Sequence, residues 1–268
     1  MLVRLQTISF LYSASEIFDK KFLRDIADAA FGRLVSQCFQ KDDAYCLIEN
    51  GESIGFWNAM MAIIHFKRNE EDKALSFLRS LLSNIQDNKV LCHYAPGTTN
   101  EILKANVHSP YGVFILPMLQ ASWIDSATKV GEYIIQTGKY DYLDLWGLKK
   151  LSELPDASPK FKNHASHLLD AVNRTTPDTM SSLYAGAIMQ ANLAWYDDLP
   201  EFHGYKEGRI EEILRRQLSC QDLNTGAFMS VPNGSEIRPE YIVHNVIAII
   251  EYLILAENWD EADFSIIA

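Results

Sequence analysis

The sequence predicts an all-α protein: a closed α/α toroid of about five or six helical hairpins, forming one domain over residues 1–268. Three observations predict it. Apolar residues recur at helical spacing along most of the chain. Segments apolar on every side alternate with segments apolar on one face only. The alternation repeats roughly every forty to fifty residues, the period of a helix pair. A closed ring accounts for the contrast, because an inner helix touches neighbours all round while an outer helix keeps one face in water. An open solenoid would expose a face of both helices and leave two ends to cap.

In chain order, Asp19 stands ahead of the first stripe as its N-cap, and Phe22, Ile26, Ala29, Ala30, Leu34 and Val35 form that stripe. Residues 54–66 are apolar on all sides, and 70–85 are amphipathic, with Ala74, Leu75, Leu78, Leu81 and Leu82 facing inward. Residues 111–123 are again apolar, with Pro117 expected to kink them. A mixed helix over 127–138, an apolar one over 142–154 and an amphipathic one over 160–173 follow. The last three are a small-residue helix over 179–195, a helix charged on one face over 209–218, and an apolar helix over 241–256. The first amphipathic helix is expected to pair with this last one and close the ring. Stretches 44–48 and 227–231 alternate and suit small hairpins within connections. Residues 155–159 and 197–208 are the loosest stretches, each too short to separate domains.

Composition narrows the partners. Hydrophobic residues make up 48% and charged residues 22%, proportions that exclude a disordered chain, a collagen or a disulfide miniprotein. Lys plus Arg number 24 against 35 Asp plus Glu, a formal charge of -11. Such a surface repels phosphate backbones and anionic lipid, so neither nucleic acid nor a membrane is expected as partner. No window approaches the ~18 apolar residues of a membrane span. The mildly apolar start is broken by Gln6, Thr7 and Ser9 and lacks a cleavage site. The expectation is a soluble, acidic, cytoplasmic protein. Cys38, Cys46, Cys92 and Cys220 have no zinc spacing and are read as free thiols.

Candidate site residues lie in two long connections, 86–110 and 219–239, and at the starts of the apolar helices. Loops of that length are usually functional, and at one mouth of a toroid they gather round a central cleft. The first connection carries His93 and His108 as substrate contacts. With Glu101 between them they lack the tight spacing of a metal site, so neither metal nor cofactor is expected. In the second, Glu240 and His244 are four apart, on one helical face, and suit an acid/base residue and a substrate anchor. Glu240 equally suits a first-turn carboxylate behind Pro239 at the helix start.

Asp144 with Trp146 places a carboxylate beside a ring, the combination sugars favour because their C–H faces pack on aromatics. Asp141 as an N-cap with Trp146 in the core is the structural alternative. Trp57, Tyr111, Tyr184 and Tyr241 begin inner helices and suit an aromatic lining, although large aromatics also fill cores. Gly51-Glu52-Ser53-Ile54-Gly55 matches G-x-S-x-G but has no parallel sheet around it, so Ser53 is read as a helix cap. His164, His167 and the pair Asp197-Asp198 are read as solvated. No P-loop, dinucleotide fingerprint or H-E-x-x-H sequence occurs.

The stretch 214–228, a helix ending near Arg216-Gln217 and leading to Gly226-Ala227-Phe228, resembles a hairpin of the α/α-toroid enzymes. These include six-hairpin glycosidases, N-acylglucosamine epimerase-type isomerases, polysaccharide lyases and isoprenoid cyclases. Arg238-Pro239-Glu240-Tyr241 with His244 resembles the inner-helix entry of the sugar-processing members. The aspartate-rich acid motif of the cyclases is missing, and Leu223-Asn224-Thr225-Gly226 replaces their paired glycine after Asp. The resemblance implies the hairpin architecture and assigns no catalytic residue.

The function expected is therefore a carbohydrate-active hydrolase, lyase or epimerase acting on a small-molecule or oligosaccharide substrate. Glu240, His244 and Asp144 are the expected acid/base residues. Trp57, His93, His108, Tyr111, Trp146, Tyr184, Arg238 and Tyr241 are the expected substrate contacts. Two other readings stand beside it: a non-catalytic helical scaffold whose acidic rim binds a basic protein, and an isoprenoid-binding or cyclase-like protein with a greasy cavity.

Overall fold

The computed structural model describes residues 1–41, 43–49, 51, 53–82, 85–86, 89–90, 93–94, 111–137, 142–174, 177–196 and 203–257. Helices dominate these residues, in two compact units whose boundary falls after Phe161.

The first unit begins with α1 (Leu2–Ile17) and α2 (Lys21–Val35), which pack together. The first of these helices corrects the sequence reading, which left residues 1–15 unassigned. Its polar interruptions are buried rather than exposed: Gln6, Ser9, Ser13 and Ser15 all lie inside. The first amphipathic helix packs against α1.

The face of α2 also differs from expectation. Ala27, Phe31 and Leu34 point inward, whereas Phe22 and Ile26 are 58% and 51% exposed. Phe31 decides the matter, because its ring meets His65 edge-on at 5.0 Å and lies under the Arg68 guanidinium at 5.1 Å. Asp19 is not the cap of α2. It adopts a left-handed backbone, and the capping position falls on Lys20, with no side-chain hydrogen bond.

A hairpin of β1 (Cys38–Lys41) and β2 (Ala44–Leu47) follows, as the alternation around 44–48 predicts. Next come β3 (Ser53–Ile54), α3 (Gly55–Lys67) and α4 (Glu71–Leu82). Every residue from Gly55 to His65 is buried, so this helix is enclosed on all sides, as its hydropathy predicts. By contrast, α4 exposes one face and buries Ala74, Phe77, Leu78 and Leu81. Ser53 is buried and accepts from Asn58 Nδ2 at 3.0 Å, while Ile54 occupies the capping position, so Ser53 does not cap α3.

Two further strand pairs are short: β4 (Ile85–Gln86) with β5 (Lys89–Val90), and β6 (His93–Tyr94) with β3. All sheets among the described residues are two-stranded and antiparallel. They offer no frame for a nucleophile elbow.

Then come α5 (Gly112–Gln120), with Pro117 inside it, α6 (Ile124–Thr137) and α7 (Tyr142–Ser152). The helix α8 (Pro159–Asn173) spans the unit boundary.

Helices α1 and α3 run parallel. The Met1 amino group lies 3.5 Å from Glu49, just ahead of α3, and Tyr12, toward the end of α1, accepts from Arg68 just beyond α3. The starts of α5 and α7 meet as well, with Gly147 packed against the backbone of Gly112 so closely that a Cβ would lie 2.6 Å from it. The enclosed helices of this unit therefore share an end, where their first turns gather.

In the second unit, a 3₁₀ turn at Pro177–Thr179 leads into α9 (Ser182–Ala194). There follow α10 (His203–Ser219) and α11 (Pro239–Glu257). The charged helix starts at His203, within the stretch read as a loose connection, so it is longer than its periodicity predicts. No strand forms at 227–231; isolated bridges pair Gln221 with Phe228 and Met229 with Ile237. Helices α9 and α11 also run parallel, since Gly186 faces His244 and Gln190, one turn on, neighbours Glu251.

Candidate functional site

In the first unit, the candidate residues fall at the starts of the enclosed helices. Trp57 is in the first turn of α3, and the strand that feeds it pairs Ile54 with His93. Tyr111 occupies the capping position of α5, with its ring edge-on to Tyr133 at 5.1 Å and to Phe114 at 6.0 Å. Asp144 is buried in the first turn of α7, where its Oδ1 accepts from the Gly112 backbone N–H at 2.8 Å. That bond satisfies an amide at the α5 start and joins two first turns. Trp146, two residues further on, is partly buried.

His108, Glu101, Asp141 and the pair Asp197-Asp198 lie outside the described residues, as does most of the connection 86–110. The side chains of His93 and Glu240 also lie outside them.

The second unit repeats the arrangement. Ser181 caps α9, accepting from the Tyr184 backbone N–H at 3.3 Å, and so holds half-buried Tyr184 in the first turn. The connection from α10 to α11 folds back on α9 through Ser182 N–H to Ser230 O at 2.9 Å. Arg238 is exposed and donates from Nε to Glu236 at 2.6 Å, with its guanidinium 6.0 Å from the Tyr241 ring centre. The Tyr241 hydroxyl donates toward the same carboxylate at 3.4 Å.

Glu236 thus organises two candidates, although the sequence reading did not select it. His244 is one turn into α11 and buried, with Nδ1 3.3 Å from Gln190 Oε1. Burial pushes its imidazole down to about 4, so it is neutral at pH 7.

Two polar neighbours of His244 also escaped the sequence reading. Gln190 projects from α9 with its Oε1 3.3 Å from His244 Nδ1, and it neighbours Glu251, seven residues beyond His244 on α11. Burial pushes the Glu251 carboxyl well above the usual carboxylate range, and its Oε2 has no partner among the described residues. Gln190 and Glu251 are among the polar residues that interrupt two largely apolar helices, and that interruption was the signal available. A spacing of seven puts His244 and Glu251 on one helical face.

Helix starts carry positive partial charge, so each cluster favours carboxylates, anionic groups or polarised hydroxyls. Among the described residues no group of three or more His, Cys, Asp and Glu is placed to hold a metal ion. Cys38, Cys46 and Cys220 are free thiols. No helix of the described residues is long and apolar enough to cross a membrane.

No family model and no curated protein matches the sequence. The fold does have a likeness. A GH76 α-mannanase of Bacteroides thetaiotaomicron, solved as a selenomethionine derivative, aligns over 96% of this chain and 88% of its own, with a TM-score of 0.69 and 9% identity. That family of glycosidases is built on the α/α toroid, so the resemblance read from the sequence is present in the fold. At 9% identity the likeness is one of fold.

Proposed function

We propose that the chain is a carbohydrate-active enzyme, a hydrolase, lyase or epimerase built as a closed α/α toroid, acting on a small saccharide or oligosaccharide. Supporting this reading is the recurrence of the candidate residues at the starts of the enclosed helices in both units. The fold likeness to an α-mannanase makes α-mannosides the first substrates to try.

In this reading His244 is the proton-accepting group, neutral at working pH, and Glu240 supplies the paired carboxyl one turn before it. Asp144 is the third acid/base candidate, held at the α7 start by its bond to Gly112. Trp57, Trp146, Tyr111, Tyr184 and Tyr241 offer rings to sugar C–H faces. Arg238, His93 and His108 supply polar contacts.

Glycoside hydrolysis needs two carboxyls ~5–10 Å apart about the scissile bond. Elimination or epimerisation needs one acid and one base about a carbon. Cytoplasmic location belongs to the same proposal.

The test is a panel of α-mannosides, other neutral oligosaccharides and uronate-containing oligosaccharides, assayed for released reducing ends, unsaturated products and epimerised sugars. The reading expects one product class from at least one saccharide. Neither turnover nor saturable binding with any of them would overturn it.

A further inference from the structure

We propose that the outward face of α2 is a self-association surface, on which a second copy of this chain docks its own α2 antiparallel about a two-fold axis beside Ala29. The face lies opposite Ala27, Phe31 and Leu34. It carries Phe22, Asp25, Ile26, Ala29, Gly32 and Arg33, spaced three and four apart and so on one side of the helix. All six are exposed. Apart from the helix itself, nothing stands within 4 Å of the place a Gly32 Cβ would occupy. Phe18 and Phe39, which flank the helix in the chain, are exposed too. Half of the exposed large hydrophobics among the described residues fall in this one segment, 18–39. Apolar exposure gathered in that way marks an interaction surface, whereas scattered single residues do not.

Charge chooses the occupant. Asp25 and Arg33 lie four residues to either side of Ala29. Two copies of the helix crossing antiparallel at Ala29 therefore set Asp25 of one protomer against Arg33 of its partner, and the two-fold axis makes that ion pair twice. The same register sets Ile26, three residues before Ala29, over Gly32, three residues after it. A branched side chain on one protomer thus fills the gap left by a missing one on its partner, as helix packing requires. A parallel, in-register pairing would instead oppose like charges. Lys21 holds Asp25 at 2.7 Å within one protomer, but both side chains are exposed, and exposed pairs rearrange at little cost. The formal charge of -11 on each copy opposes association only weakly at ~0.15 M salt, where screening acts over ~8 Å.

The experiment is sedimentation equilibrium of the full-length protein in ~0.15 M salt across ~1–300 μM, the range in which small interfaces dissociate. The wild type should follow a monomer–dimer equilibrium. Arg33→Asp and Asp25→Arg each oppose like charges twice and should weaken the dimer about tenfold or more. The double variant D25R/R33D exchanges the pair and should recover to within about threefold of the wild type, as coupled residues do. Ile26→Lys places a charge over Gly32 and should leave a monomer, which supplies a second route if a charge variant does not fold. These positions are exposed, so the melting temperatures of the variants should stay near that of the wild type.

A wild type that is monomeric throughout, the result expected if a different protein or another segment of the same chain covers this face, would overturn the proposal. So would a dimer indifferent to the single changes, or single losses that the double exchange does not rescue. The measurement needs no substrate, so it is independent of the saccharide panel.

Discussion

Gly186 of α9 packs directly on the backbone of His244 in α11, and a Cβ at that position would lie 2.9 Å from the His244 carbonyl oxygen. Backbone atoms cannot swing aside as a side chain can. Gly186→Ala therefore forces the two helices apart and should cost about 1–3 kcal/mol of stability. Urea unfolding measures it. A variant as stable as the wild type would show that the close approach is not present in solution.

Asp144 and Gly112 join the starts of α7 and α5. Asp144→Ala leaves a buried amide without an acceptor and should destabilise by about 1–3 kcal/mol. Asp144→Asn keeps an oxygen for that amide and should retain most of the stability. If the carboxylate also takes part in chemistry, Asp144→Asn will be folded yet slow. Thermal melts of both variants, with turnover measured beside them, separate the two roles.

Glu251 carries a stability cost with a definite pH dependence. Its folded-state value is raised by burial, so its contribution is fully present below the unfolded value, ~4.3, and is lost as pH rises. Glu251→Gln removes the titration. The variant should match the wild type near pH 4 and gain on it above that, by up to ~1.4 kcal/mol per pH unit until the folded-state value is passed. Denaturant midpoints measured from pH 4 to 8 check this, and parallel curves would contradict it.

Glu70 shows the opposite sign. Burial works against its charge, but hydrogen bonds from Arg68 and His65 outweigh that and hold the carboxyl at about 2. The stability it confers is complete above the unfolded value and disappears as pH falls through about 2. Glu70→Gln should cost about 1.5–3 kcal/mol at pH 7, in the range of charge-assisted hydrogen bonds, and progressively less in acid. Unfolding curves of the pair at pH 7 and pH 3 test both halves of this statement.

What the sequence made legible was the class of each helix. The apolar run 54–66 becomes a helix enclosed on every side, because hydropathy on all faces leaves no other placement. Candidate residues were also legible as starting points of helices, since Pro239 and the aromatic openings carry local signals.

Facing was harder. Phe22-Ile26 and Ala27-Phe31 are both apolar stripes on α2, and only the rings and guanidinium that meet Phe31 choose between them. Helix α1 was hidden by buried serines and Gln6, whose polarity imitates exposure. The alignment of Gln190 with His244 depends on two helices more than fifty residues apart in sequence, a non-local pairing that periodicity does not encode.

The most direct test is product formation from the saccharide panel by wild type and Glu240→Gln, with melting temperatures recorded for both. The account predicts turnover by the wild type, and an inactive variant that melts where the wild type does. Undiminished turnover in the variant would contradict the assignment of the acid/base pair, and a wild type that neither binds nor converts any sugar would contradict the function itself.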